Sequence, residues 1–344
     1  MKINDVLRQA EQEANLRLTA AEVKAKKLLL KGTYSLLKLA DAIGESPSNT
    51  QKIVDKLQNE GVNIHLIQGE ITIPQQFKKE ERLVVNSKDY TLGEWITFGV
   101  CGDNHLCNKH ARLDVLNTVY DWYEREGITT VFNTGNMLDG ECRFNKHELV
   151  VRSGFEPQME YFANEYPQRK GIKTKFITGE DHEGWWTARE GINVGKRMEQ
   201  EAKEKGRNDL VWIGHVERDI EFKAKKGSAW GRVMHPGGGS AYATSYSEQK
   251  IVESWQGGEK PNFCLIGHYH KYGTGFPREV WTVQTACTSD QTAFLRRQKI
   301  RVDVGALKIS IHQAETGEIN RFVVEFGPFF DRGFYAQNDK YKKW

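Results

Sequence analysis

Between Trp95 and Val100 the chain runs largely apolar, breaks at Gly102, and then delivers a carboxylate and an imidazole two positions apart, at Asp103 and His105. In an extended segment residues i and i+2 point the same way, so these two side chains are expected on one face, able to share a metal ion. An Asp-x-His pair alone constrains little. Four further stretches give it weight: Gly135-Asn136-Met137-Leu138-Asp139, Gly179-Glu180-Asp181-His182-Glu183, His235 ahead of three glycines, and Gly267-His268-Tyr269-His270. Each stands at or near the end of a short apolar run, where loops leaving a sheet converge. From Trp95 onward strand patterns alternate with helix patterns, which predicts α/β layering.

The order and spacing of these stretches, over roughly residues 95 to 275, resemble the calcineurin-like metallophosphoesterases, a superfamily of two-metal hydrolases. The resemblance implies a four-layer α/β/β/α metallophosphoesterase sandwich and two divalent ions. Manganese is the first expectation, with iron, zinc or magnesium as alternatives; such a pair activates water and neutralises charge on the phosphoryl group. Carried over motif by motif, the first ion would take Asp103, His105, Asn136 and His270, and the second Asn136, Asp181, His235 and His268. His182 would contact the phosphate and protonate the leaving oxygen, kept protonated by Glu183 or Asp139. Asp139 is also expected to orient a ligand from behind.

The chain departs from the family pattern twice. Its third motif is one residue longer, with an acidic residue in the usual asparagine slot, so Glu180 and Asp181 both remain open as the ligand. Its second motif has Asn136 where a bridging carboxylate is expected. An amide removes one negative charge and offers a single good oxygen, so a weakened or inactive form is implied.

Upstream, residues 4 to 31 carry apolar residues at helical spacing. Ser35 to Gly44 reads as a short amphipathic helix stopped by glycine. Ser46-Pro47 reads as an N-cap with proline in the first turn of a helix that runs to about Asn59. Strand-like segments follow at Val62–Ile67 and Glu70–Ile73. This order resembles a winged helix-turn-helix, whose second helix enters the DNA major groove. Ser48, Asn49, Gln51, Lys52 and Lys56 are then the candidate DNA contacts. The domains are expected at 1–76 (winged helix-turn-helix, DNA-binding), 77–94 (connector, with a strand at Leu83–Asn86) and 95–344 (metallophosphoesterase). Residues 300 to 326 read as an antiparallel hairpin at a sheet edge, and the aromatic, charged tail from Pro328 is left unassigned.

Charge gives the N-terminal segment little support, because residues 1–82 carry 13 Lys+Arg against 11 Asp+Glu. The whole chain of 344 residues has a formal net charge of +3, too small to demand nucleic acid. Five cysteines without framework spacing, no Cys-x-x-Cys pair, and no apolar run near membrane length lead to the expectation of a cytoplasmic protein without structural zinc. His65, His110, His147, His215 and His312 fall in no motif. Pro236 to Ser240 allows close backbone approach to a phosphate or is a plain turn. Trp185 and Trp186 are either base-stacking or core residues, and the basic run Arg296–Arg301 either tracks phosphates or is a solvated face.

The expected function is metal-dependent phosphodiester hydrolysis on DNA, as an endonuclease or nickase of phage or mobile-element type. The rivals are a phosphodiesterase on a small nucleotide or phosphoprotein, and a non-catalytic DNA-binding regulator.

Overall fold

The computed structural model describes residues 18–67, 69–73, 82–86, 95–141, 149–239 and 241–330. It divides into two compact units, Met1–Glu81 and Arg82–Trp344. Residues 4–17 of the first expected helix, His147, Cys142, Ser240 and the tail beyond 330 lie outside the described residues.

The first unit has helices Ala20–Leu29, Leu36–Ile43 and Pro47–Asn59, and strands β1 (Tyr34–Ser35), β2 (His65–Ile67) and β3 (Glu70–Thr72). Each helix starts where a hydroxyl can accept an orphan backbone N–H: Thr19 from Glu22, Ser35 from Lys38 and Ser46 from Asn49. Pro47 occupies the first turn and Gly44, at φ 81°, ends the middle helix. The strands pair antiparallel in the order β1-β3-β2. Leu29, Leu39, Ile43, Ile53, Leu57 and Ile71 fill the core between them.

The second unit is built on two six-stranded sheets. Its strands are β4 (Leu83–Asn86), β5 (Trp95–Cys101), β6 (Thr130–Asn133), β7 (Lys173–Thr178), β8 (Leu210–His215), β9 (Glu217–Lys223), β10 (Ser228–Met234), β11 (Phe263–Ile266), β12 (Gly273–Gly275), β13 (Trp281–Gln284), β14 (Val304–Gln313) and β15 (Ile319–Phe329). One sheet has the order β15-β14-β5-β6-β7-β8, with β5 to β8 parallel. The other has the order β12-β13-β11-β10-β9-β4, with β10, β11 and β13 parallel. The strand Leu83–Asn86, read from sequence as part of a connector, pairs in parallel with β9.

Alternation along the strands sets the layers. Ile96, Phe98 and Val100 of β5 and Leu307, Ile309 and Ile311 of β14 face Phe222, Val233, Phe263 and Leu265 of the second sheet in one buried cluster. The opposite face of the first sheet, with Cys101, Val131 and Phe176, packs under helices Leu113–Arg125, Phe155–Glu165 and Val194–Glu204. Helix Thr244–Ser254 covers the outer face of the second sheet through Val252, against Met234, Cys264 and Ile266. The second unit is therefore a mixed α/β sandwich of two sheets with helices outside both.

The helix that follows the first motif loop spans Leu113–Arg125. Before it, Ala111 bridges to Ser289, and the Arg112 amide donates to Thr288 O, which holds the backbone out of the helix. The turn at Ala314–Glu318 joins β14 to β15, and β15 is the edge strand.

Candidate metal centre

The five marked stretches leave five strand ends: Asp103 and His105 after β5, Asn136 after β6, His182 after β7, His235 after β10, and His268 and His270 after β11. All five strands run parallel to a neighbour and all these loops leave carboxyl ends. Such edges are where ligands bind in open α/β sheets.

Asp103 is fully buried and sits at the centre. Its Oδ1 lies 3.4 Å from His270 Nε2, 3.8 Å from His105 Nε2 and 3.9 Å from His235 Nε2. Its Oδ2 accepts the backbone N–H of His268 at 2.8 Å. His105 Nε2 and His270 Nε2 face each other at 3.1 Å. The His235 ring lies edge-on to His268, centroids 5.3 Å apart.

Strand alternation is not what aligns these side chains, and that expectation is corrected here. β5 ends at Cys101, and Asp103 and His105 both take a left-handed backbone at φ 47°. Asn136, His182, His268 and His270 also have positive φ, between 51° and 80°. A left-handed non-glycine residue costs on the order of 1 kcal/mol or more, so the surroundings must impose it. Here the loops after β5 and β6 are laced together: Asp103 N donates to Gly135 O, His105 N to Asn136 O, Leu106 N to Met137 O and Asp139 N to Leu106 O, all at 2.8–3.0 Å.

A second cluster stands behind the first. Asp139 Oδ1 is 3.2 Å from His105 Nδ1 and 3.4 Å from His182 Nδ1, and Asn108 Nδ2 donates to Asp139 Oδ2 at 2.9 Å. Asp139 thereby fixes the His105 ring with Nε2 toward Asp103. His182 Nδ1 also lies 2.9 Å from Asp139 O. Of the two carboxylates considered from sequence, the one beside the His182 ring nitrogen is Asp139. Glu183 is buried, and its Oε1 accepts the backbone N–H groups of Asn136 at 2.9 Å and Gly179 at 3.0 Å. It clamps two of the site's loops together, a role that sequence reading missed. The signal available was only its place next to His182.

The electrostatics follow from burial and from these contacts. Burial pushes His235 down to about 3, and burial with the neighbouring His182 pushes His105 down to about 4, so both present neutral imidazoles. Burial opposes protonation of His270 too, but the Asp103 carboxylate raises it to about 10. Burial works against the Asp103 charge, yet His270 and His235 hold its carboxyl below the usual range. His182 is raised, because Asp139 outweighs burial. Burial pushes Glu183 up to about 8.

This donor set fits a divalent cation. Asp103 Oδ1, His235 Nε2 and Asn136 Oδ1 are buried and bonded to no protein group. A Cβ added at Gly179 would fall 2.4 Å from Asn136 Oδ1 and 3.2 Å from His235 Nε2, so both atoms border one small space. Asp103, His105 and His270 form one group close enough to hold an ion, and His105, Asp139 and His182 form another. His235 Nδ1 lies 2.7 Å from Thr134 O, which orients its Nε2 inward.

Two sequence candidates stand differently. Asp181 is half-buried and joins neither group; its carbonyl accepts the Gly184 N–H. Glu180 is exposed, with Oε2 3.8 Å from where a Gly237 Cβ would lie. His268 Nε2 lies 2.7 Å from Gly238 O, on the glycine loop after His235. Trp186 is a core residue packed on Phe155, whereas Trp185 is half-buried with Arg189 4.7 Å above its ring. Cys101 is no nucleophile, since burial raises its thiol to about 11.

In the first unit, Ser48, Asn49, Gln51, Lys52 and Lys56 all lie exposed on the helix Pro47–Asn59. Three of them are engaged with acidic groups: Asn49 Nδ2 with Glu45, Gln51 Nε2 with Asp55, and Lys56 Nζ with Glu22, each at 2.8 Å. No helix among the described residues is long and apolar enough to cross a membrane.

No protein-family model matches the chain, and no curated protein matches it. Solved structures resemble it weakly. An archaeal phosphodiesterase is 12% identical, covering 67% of this chain and 99% of its own, with a TM-score of 0.33. Vps29 with bound zinc from Entamoeba histolytica is 13% identical, covering 68% and 99%, with a TM-score of 0.32. GAP50, the anchor in the inner membrane complex of Plasmodium, is 12% identical, covering 69% and 90%, with a TM-score of 0.37.

Proposed function

We propose that the second unit is a two-metal phosphodiesterase of the calcineurin-like metallophosphoesterase type, that its substrate is DNA, and that the first unit is a winged helix that brings it there. The observation that carries the catalytic reading is Asp103 Oδ1, buried, bonded to no protein group, and within 3.9 Å of three imidazole nitrogens. Asp103, His105 and His270 would hold one ion, with manganese the first choice. Asn136, His235 and His268 would contribute to a second, with Asp181 as the acidic candidate. The ions when bound supply an activated water and neutralise charge on the phosphoryl group.

The chain's own residues do the rest. Asp139 orients His105 and keeps a proton on His182, which would hand it to the leaving oxygen. Glu183 holds the Asn136 and Gly179 loops in register. For the first unit, the order helix, strand, helix, helix, strand, strand supports the winged-helix reading. Ser48 and Lys52 are the readiest DNA contacts, since Asn49, Gln51 and Lys56 must first release acidic partners.

Asn136 favours one rival, a DNA-binding regulator with a decayed hydrolase site. The test is Mn(II)-dependent hydrolysis of bis(p-nitrophenyl) phosphate and of supercoiled plasmid, with Asp103→Asn as the control. Turnover of both, lowered in Asp103→Asn by on the order of a hundredfold or more, about 2.7 kcal/mol of barrier, is the expected result. Turnover of the small diester alone would refute DNA as substrate. Plasmid binding without any turnover, persisting in Asn136→Asp, would establish the regulator instead.

A further inference from the structure

We infer that the cleft takes a single-stranded nucleic acid, with a base stacked on Tyr242 and phosphates laid along Lys271, Arg296, Arg297, Lys299 and Arg301. The inference rests on the phosphodiesterase reading for its chemistry, but its binding arm is separable. A lone exposed aromatic is ordinary on a protein surface. Tyr242 is not ordinary in how its backbone is held. Its residue is fully exposed, at 103%, and Tyr246 nearby is 56% exposed. Yet the loop that carries Tyr242 is tied down at three carbonyls. Gly238 O lies 2.7 Å from the candidate ligand His268 Nε2, Ala241 O accepts Lys271 Nζ at 2.8 Å, and Thr244 O accepts Gln284 Nε2 at 2.6 Å. Tyr242 thus presents a wholly solvated ring from a backbone held at the adjacent Ala241 carbonyl, four residues from the carbonyl that meets His268, and such a ring offers a face for stacking a base.

The basic residues lie in the segment that leads to Asp303, whose backbone meets His270. Lys271 follows that candidate ligand directly, is only 6% exposed, donates to the Ala241 carbonyl, and feels the charges of both Arg301 and Asp303, which places the end of the basic run near the Tyr242 loop. The Asp303 N–H donates to His270 O at 2.8 Å, so the segment arriving from the basic run passes beside the same ligand. Arg296, Arg297, Lys299 and Arg301 are exposed there, with Arg301 3.1 Å from Asp303. No acidic residue interrupts the run from Arg296 to Arg301. Duplex DNA buries its base faces against one another, whereas a single strand offers them, and only the latter uses both the ring and the ledge.

The test is fluorescence anisotropy of a labelled oligothymidylate and of a duplex of equal length, in EDTA, with the full chain. Tyr242→Ala should weaken oligothymidylate binding about tenfold or more, from ~1–3 kcal/mol of stacking per base. Tyr242→Phe should restore it. Arg301→Gln should flatten the salt dependence by about 0.7 in log–log slope, one phosphate on a single strand. Unchanged affinity in Tyr242→Ala would overturn the inference, as would an equal loss on the duplex or a Phe variant as weak as Ala. Hydrolysis of bis(p-nitrophenyl) phosphate by the unaltered chain is measured beside these. Its absence, with the Tyr242 effect intact, would refute the hydrolase reading and leave the single-strand site standing.

Discussion

Asn136 carries the sharpest question at the scale of single residues. Its Oδ1 is buried without a protein partner, and its backbone N–H is held by Glu183. A carboxylate there would add a negative charge between neighbouring imidazoles without moving the loop. Asn136→Asp is therefore expected to raise the amount of tightly held Mn(II) and the cleavage rate by about a hundredfold, ~2.7 kcal/mol of barrier. Equilibrium dialysis with metal analysis, beside the rate, checks this; no gain in either would mean the second-motif loop does not serve the metals. Asp139 gives a pH prediction. His182 must be protonated to act as an acid, and Asp139 raises its pKa above the ordinary value. Activity should fall as pH rises through that raised value. Asp139→Asn removes the carboxylate, so the alkaline fall should move to lower pH. An unmoved alkaline limb would take His182 out of the acid role.

The strands and loops explain what was legible. The apolar run from Trp95 to Val100 was legible as a strand, and its Ile96, Phe98 and Val100 side chains do lie between the sheets. Phe98 is fully buried among Phe132, Phe222 and Phe263, so Phe98→Ala should cost about 3–5 kcal/mol in denaturant unfolding. A cost below ~1 kcal/mol would contradict the face-to-face packing. The motif loops were legible as the places where His and Asp gather, but their shape was not. Left-handed φ values at Asp103, His105 and Asn136 go with backbone bonds between loops 31 to 33 residues apart in sequence, which no local pattern encodes. The Glu183 clamp was hidden for the same reason. Glu183→Ala would orphan two buried N–H groups, at about 1–3 kcal/mol each, and should lower metal affinity; Glu183→Gln keeps an acceptor and should recover most of the loss. Equal damage from Ala and Gln would show that the charge, not the clamp, is what matters.

In the molecule as a whole, strand carboxyl ends from two different sheets meet at one carboxylate. β5 and β6 bring Asp103 and Asn136, while β10 and β11 of the other sheet bring His235, His268 and His270. Composition could not reveal this, because the net charge is nearly balanced and the candidate ligands are spread over more than 160 residues of sequence. The N-terminal unit was legible from its caps and glycine stop, yet its exposed helix carries acidic partners that the residue spacing did not disclose. Anomalous X-ray diffraction from a crystal of the protein equilibrated with Mn(II) tests whether Asp103 anchors a metal centre. A manganese peak is expected bonded to Asp103 Oδ1 and to the Nε2 atoms of His105 and His270, with a weaker peak beside Asn136 and His235. A saturated crystal with no manganese at Asp103, or with manganese held only elsewhere, would contradict it.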